Sequence, residues 1–305
     1  MEPYPADSIY HKKRIIQKII SFVNRVSSMN SIQFLRKSQA NGKNLLYAWF
    51  EAMHTRVDLL LYAGIFHDDL ESIACSIQDE ICRIEKKANR FDSGSELYYL
   101  NKYASVQECP VSEELAEMIG ECLLFHSKTF GCFDITVNSF NNFRSGTDNI
   151  RLDTEKKTIF FQHPDIQIDL NGYVKGYALR TVAQILRNNQ IHDALINFGN
   201  SSILATGNHP YGEGWSVGMD PEFEKNGNAI TLFNECLTTS GNRLKNQRHI
   251  ISPETGRFVG KKATVSVVTS DPALGEILST AFFVADAFHR QLMLEQLPVK
   301  SVIKL

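Results

Sequence analysis

Apolar positions along the chain follow two periods, and the changes between them predict the elements. Near the N-terminus Ile15, Ile16, Ile19, Ile20, Val23 and Val26 share one helical face, with Gln17, Lys18, Asn24 and Arg25 interrupting the apolar run. Leu45–Phe50 and Ala52–Tyr62 read as strands meeting at a bend. Helical spacing takes over at Leu70, Ile73, Ala74, Ile77, Ile81 and Ile84, with Asp68 and Asp69 as caps and an end near Asn89. Arg90–Asn101 is turn-rich. Ser112 opens a second helix with Leu115, Met118, Ile119, Cys122 and Leu123 on one face and Gly131 at its C′ position.

Short β-type segments follow at Gly131–Val137, Ile150–Leu152, Thr158–Gln162 and Ile166–Leu170. A helix starting at Tyr177 carries Ala178, Val182, Ile185 and Leu186, and Ala194–Phe198 pairs with Ser201–Thr206 across a Gly199-Asn200 turn. Further strands are expected at Gly214–Met219, Ala229–Phe233, His249–Ile251, Ala263–Thr269 and Val302–Leu305, with a helix over Pro272–Ala285. Strands and helices are interspersed without strict alternation. That pattern predicts an α+β fold with a mostly antiparallel sheet core and flanking helices. The expected organisation is residues 1–42 as N-terminal amphipathic helix and linker, and 43–305 as one domain.

Composition narrows the class. With 305 residues, 43% of them hydrophobic, the chain can bury a large core. A net charge of −2, with no long basic stripe beyond the N-terminus, gives no reason to expect a nucleic-acid partner. The six cysteines lack CxxC spacing, so neither a zinc knuckle nor a disulfide framework is indicated, and a reducing compartment is expected. His11, Lys12, Lys13 and Arg14 imitate the start of a signal peptide, but no small-residue cleavage site or early cysteine follows. The expectation is therefore a cytoplasmic protein whose N-terminal helix docks on the body or a partner, or in the alternative lies on a membrane surface.

Chemistry concentrates first in Ile168–Arg180, IDLNGYVKGYALR. An apolar run ends on Asp169, and Gly172, Lys175 and Gly176 precede the helical pattern. A helix N-terminus with an adjacent lysine suits phosphate; a plain tight connection with a solvated lysine is the alternative. Glu276 and Thr280, four apart, offer a carboxylate and a hydroxyl to the same point, hard donors that suit Mg²⁺. The structural alternative is a capping Glu276 and a Thr280 bonded back to its own helix.

Taken in order, the motifs AMHTRVDLLLY, RFDSGSELYYLN, GCFDITV, IDLNGYVKGYALR, TTSGNRLKNQRHIISPETG and GEILSTAFF resemble those of the ApbE-type FAD:protein FMN transferases, over about Ala52 to Ala285. The resemblance implies an ApbE-like, T-fold-like architecture and Mg²⁺-dependent transfer of FMN from FAD to a threonine hydroxyl, releasing AMP. The acceptor would be a redox-complex subunit or another flavoprotein, and a homodimer is compatible with it. By matching position, Met53, Phe91, Cys132, Phe133, Asp134, Asp169, Lys175 and Ile251 would contact FAD. The Gly172 carbonyl, Glu276, Ser279 and Thr280 would hold the metal, and His249 would assist proton transfer. The chain departs from the family pattern at Glu276, Arg180 and Ser252, each in place of aspartate, at Asn171 in place of glycine, and at Gly199-Asn200 in place of a glycine pair. An FAD pyrophosphatase and a non-enzymatic flavin-binding paralogue stay open as alternatives.

Overall fold

The structure, a computed structural model, describes residues 31–38, 42–139, 146–218, 229–242, 249–260 and 263–304. In chain order it runs β1 (Gln33–Ser38), β2 (Asn44–Ala52), β3 (Thr55–Ala63), α1 (His67–Ala88), α2 (Glu96–Tyr103), β4 (Cys109–Pro110) and α3 (Glu113–Lys128). Next come β5 (Ile150–Asp153), β6 (Thr158–Phe161), α4 (Val174–Asn188), β7 (Asp193–Phe198), β8 (Ser202–Thr206), β9 (Trp215–Val217) and β10 (Ile230–Leu232). The remainder is β11 (Glu235–Asn242), β12 (Ile251–Ser252), β13 (Arg257–Phe258), β14 (Ala263–Thr269), α5 (Pro272–Val284), α6 (Ala287–Gln296) and β15 (Ser301–Lys304).

Eight strands form one sheet in the order β1-β2-β3-β7-β8-β11-β14-β15, every neighbouring pair antiparallel. The expected α+β class is therefore observed. Period-2 burial decides the layering: Leu46, Ala48 and Phe50 of β2, Val57, Leu59 and Leu61 of β3, and Ala194, Ile196 and Phe198 of β7 are buried on the face covered by helices. α1 packs on β2, α5 on β8, β11 and β14, and α4 lies between those two helices. On the opposite face the β9–β10 hairpin places Trp215, Val217 and Leu232 against Ile203, Ala205, Leu237 and Val268. Strands β8, β11 and β14 are thus covered on both sides, which accounts for the unbroken buried runs at 202–205, 236–238 and 265–269. A second sheet, β4-β6-β5, stands apart, and no helix among the described residues is long and apolar enough to cross a membrane.

The predicted α1 face is the buried one, and the β7–β8 hairpin turns where expected, Gly199 and Asn200 both holding positive φ (65° and 56°). The β2–β3 bend is likewise a two-residue turn, with Met53 at φ 48° and His54 at φ 59°. Several expectations need correction. Gly131–Val137 and Ile166–Leu170 are irregular segments rather than strands. Side chains take the backbone groups a ladder would have used: Asn101 donates to the Ile168 carbonyl and accepts from its N–H, while Asp134 Oδ1 accepts from Thr136 N. One backbone bond, Asp169 N to the Ile135 carbonyl at 2.7 Å, joins the two segments.

Helix ends shift as well. α1 is capped at Phe66 without a side-chain bond, so Asp68 and Asp69 act only as first-turn charges toward the dipole. After α3, Phe130 (φ 55°) donates to Ser127 O and Gly131 to His126 O, a Schellman end that puts Phe130 at C′ and Gly131 one place later. α4 begins at Val174, not Tyr177, so Lys175 lies in its first turn and Gly176 inside it. β4, β11, β13, α2 and α6 are elements the periodicity does not mark, and β1 carries the sheet ahead of residue 43. The N-terminal helix expected over residues 15–26 lies outside the described residues.

Two constraints hold the helical layer. A Cβ on Gly176 would lie 2.3 Å from the Pro272 carbonyl oxygen and 2.7 Å from Ala273 Cα, so α4 and α5 approach as closely as backbones allow. Glu114 of α3 receives Arg83 at 2.5 Å and Lys87 at 2.6 Å, both from α1. Arg83 chiefly, against burial and with help from Lys87, holds the Glu114 carboxyl down at about 2.

Gly176→Ala is expected to force the two helices apart at a cost of about 1–3 kcal/mol, the range for overpacking, read as a lower denaturant midpoint; an unchanged midpoint would remove the close-approach argument. Because the folded Glu114 pKa is depressed, its contribution is complete above about 4.5, its value in an unfolded chain, and is lost as pH falls toward 2. The stability difference between wild type and Glu114→Gln, about 1.5 kcal/mol at neutral pH, should therefore vanish across that window.

Candidate active site

A cavity of about 630 Å³ opens where the N-terminus of α4, the β7–β8 turn, β11, the segment around β12 and the side of α5 meet. Of the residues singled out from sequence, Cys132, Phe133, Asp134, Asp169, Gly172, Lys175, His249, Ile251, Glu276 and Thr280 all line it. The Asp169 loop and the Glu276/Thr280 helix, far apart in the chain, therefore face one space. Met53, Phe91 and Ser279 do not line it.

Lys175 and Glu276 face each other because Gly176 lets α4 settle onto α5. Their Nζ and Oε1 are 4.0 Å apart. Lys175 Nζ donates to Ser201 Oγ at 2.5 Å, and the hydroxyl of fully buried Ser202 donates to Glu276 Oε1. Burial pushes the Glu276 carboxyl above its ordinary range, with Lys175 and Ser202 pulling against it. Among the described residues no donor is placed on Glu276 Oε2. One turn further on, Ser240 Oγ of β11 lies 2.8 Å from Ser279 Oγ and 3.1 Å from Thr280 Oγ1, so Thr280 bonds across to the sheet rather than to its own helix. Ser279 also bonds to the Glu276 carbonyl, behind the cavity wall. Glu276 is not a cap; that role belongs to Asp271, which accepts from Ala273 N.

On the opposite wall Asp169 is held by three donors: Asn138 Nδ2 at 2.7 Å, Arg90 Nη1 at 3.3 Å and Asn171 N at 2.9 Å. Asp134 is buried, with Oδ1 taken by the Thr136 N–H and hydroxyl. Its Oδ2 is buried behind the cavity wall without a hydrogen bond among the described residues, with His126 Nδ1 3.9 Å away. Burial, assisted by Asp286 and Glu254, pushes the Cys132 thiol up to about 11, so it is a neutral wall group and not a thiolate nucleophile.

Phe91 is 73% exposed and carries the Arg90 guanidinium 4.9 Å above its ring, so it stands one side chain outside the Asp169 wall. Met53 is half-buried in the β2–β3 turn, its N–H donating to Glu85 Oε2. Among the described residues no three His, Cys, Asp or Glu side chains cluster to chelate a metal. A cation would have one carboxylate, the Thr280 hydroxyl and the backbone of Gly172. That sparse oxygen set fits Mg²⁺, which fills its octahedron from water and phosphate. Sequence reasoning passed over Ser201, Ser202 and Asn138. Consecutive serines entering a strand buried on both faces were the available signal.

The sequence profile of the ApbE family matches residues 53–303. An FAD:protein FMN transferase from Chlamydia muridarum is 24% identical over 230 residues, spanning 65% of this chain and 71% of that protein. The crystal structure of an ApbE protein from Thermotoga maritima superposes with a TM-score of 0.69 at 23% identity, covering 89% of this chain and 93% of that one. A flavin transferase ApbE from Vibrio cholerae superposes with a TM-score of 0.70 at 16% identity, covering 90% and 93%. The folds agree across nearly the whole length, and with the profile spanning most of its residues the chain belongs to the ApbE family.

Proposed function

We propose that the protein transfers FMN from FAD to a threonine hydroxyl of an acceptor protein, a redox-complex subunit or another flavoprotein, and releases AMP. The observation that carries this reading is the convergence of the Asp169 loop, Lys175, His249 and the Glu276/Thr280 helix on a single cavity. In the reaction the threonine Oγ bonds to the FMN phosphorus, the bond from that phosphorus to the bridging oxygen breaks, and AMP leaves with the electron pair. The hydroxyl proton passes to His249 and from there to solvent.

Each residue has a part derived from its position. Lys175, in the first turn of α4, brings a positive charge and the helix N-terminus toward the pyrophosphate. Asp134, fixed through Oδ1 by Thr136, shapes the wall on the flavin side, and Asp169, locked by its three donors, presents a fixed carboxylate to the other part of FAD. Ile251 and Cys132 supply apolar wall. Glu276, Thr280 and the Gly172 carbonyl would hold Mg²⁺, with Ser279 supporting them through Ser240. When bound, that ion would draw charge from the phosphate oxygens.

Incubation with FAD, Mg²⁺ and a peptide bearing the acceptor threonine tests the proposal. Covalent flavin fluorescence on the peptide with stoichiometric AMP is expected. Free FMN plus AMP would mean a hydrolase, and unchanged bound FAD a binding module. Glu276→Ala should abolish metal-dependent turnover, and His249→Ala should lower kcat by about 10²–10⁴-fold, the usual worth of general acid–base assistance. Full activity in either variant removes that residue from its role.

A further inference from the structure

We infer that Ser202 is a positioning residue for Glu276: its hydroxyl fixes one carboxylate oxygen so that the other is presented to the cation in the cavity. The inference rests on the reading of Glu276 as a metal ligand given above. Three observations carry it. Ser202 is fully buried at the start of β8, a strand whose neighbouring positions Ile203, Leu204 and Ala205 are all apolar, so a hydroxyl there is out of pattern. That hydroxyl donates to Glu276 Oε1, and among the described residues nothing donates to Oε2. Ser202 Oγ also lies 3.4 Å from Ser201 Oγ, which receives Lys175 Nζ at 2.5 Å, so the strand start holds the lysine and the carboxylate at once.

The geometry explains the length of the side chain. From its place on α5 a glutamate reaches across to β8, and a side chain one methylene shorter draws its carboxylate back from Ser202. A glutamate left free at Oε1 has rotamers to lose on binding an ion, whereas one pinned at Oε1 has already lost them. Ser202 would thus supply metal affinity without touching the metal.

The test is Mn²⁺ binding, read by electron paramagnetic resonance on the protein alone, alongside FAD titration in chelator. Ser202→Ala is expected to weaken Mn²⁺ by roughly 10–100-fold, the usual cost of losing a group that orients a ligand, while metal-free FAD affinity is retained. In a Glu276→Asp background the same Ser202→Ala change should have little effect, because the shorter carboxylate no longer reaches the hydroxyl. An unchanged Mn²⁺ affinity in Ser202→Ala, or an equal loss in both backgrounds, overturns the inference. Should Ser202→Ala fail to fold, Ser202→Cys, similar in size with a weaker donor, is expected to lose affinity in the same direction, and wild-type affinity there overturns it as well. If Glu276→Ala itself leaves Mn²⁺ binding intact, the metal reading fails and Ser202 falls with it.

Discussion

The contact on which the site depends is the near-touching of α4 and α5 at Gly176. With no side chain at that position the first turn of α4 lies against the Pro272 carbonyl and Ala273, and Lys175 arrives beside Glu276. Any Cβ there would separate the two helices that carry the lysine and the carboxylate. Two other glycines repeat the device nearby. A Cβ on Gly275 would meet Thr238 Oγ1 at 2.6 Å, and one on Gly241 the Ala263 carbonyl at 2.4 Å, so α5 and β14 are both drawn tightly against β11. Close backbone packing converts apolar burial into fixed side-chain positions, as a preorganised site requires.

That packing also explains why the polar groups are mostly hydroxyls. Strands β8 and β11 are covered on both faces, and a charged side chain placed there would need a partner of its own. Ser201, Ser202, Thr239 and Ser240 bring hydrogen-bonding capacity at little desolvation cost. Ser202 meets Glu276, Ser240 meets Thr280 and Ser279, and Thr239 meets Ser266 at 2.7 Å. The full charges instead come from the loop before α4, from α4 and from α5: Asp169, Lys175 and the buried Glu276. Over a neutral strand floor the charges answer one another, Lys175 facing Glu276 and Arg90 facing Asp169.

Sequence periodicity made the outer elements legible and the inner ones obscure. α1 could be read because its apolar face has solvent behind it, and β2, β3 and β7 because one face of each is more open. β11 gave no alternation to read, since Cys236, Leu237 and Thr238 are buried in succession and Thr239, Ser240 and Gly241 spend their polarity inside the site. The segments 131–137 and 166–170 misled because Asn101, Asp134 and Thr136 replace a strand ladder with side-chain bonds, a substitution visible only once distant residues are placed together. Most of the candidate residues that turn out to line the cavity were legible as an ordered set of motifs. Their local chemistry alone, a glycine-bearing turn with a lysine, was not distinctive. Serines 201 and 202 escaped because the burial that puts a hydroxyl out of pattern in β8 comes from the β9–β10 strands and α5 packed over it.

The positions at which the chain departs from the family pattern each find a local partner. Arg180 does not line the cavity. Its guanidinium forms two 2.7 Å bonds to Glu121 and also binds Asp271, at 3.0 and 2.5 Å. Burial lowers the Arg180 pKa, but the two carboxylates outweigh it and the net shift is upward, so the charge is permanent and α3, α4 and the cap of α5 are tied together. Ser252 accepts from Thr255 N at 3.4 Å while its carbonyl accepts from Gly256 N at 2.8 Å, which is the turn that joins β12 to β13. Glu276, one methylene longer than aspartate, finds Ser202. Here a reversed charge, a lost carboxylate and a lengthened side chain are each met by hydrogen bonds.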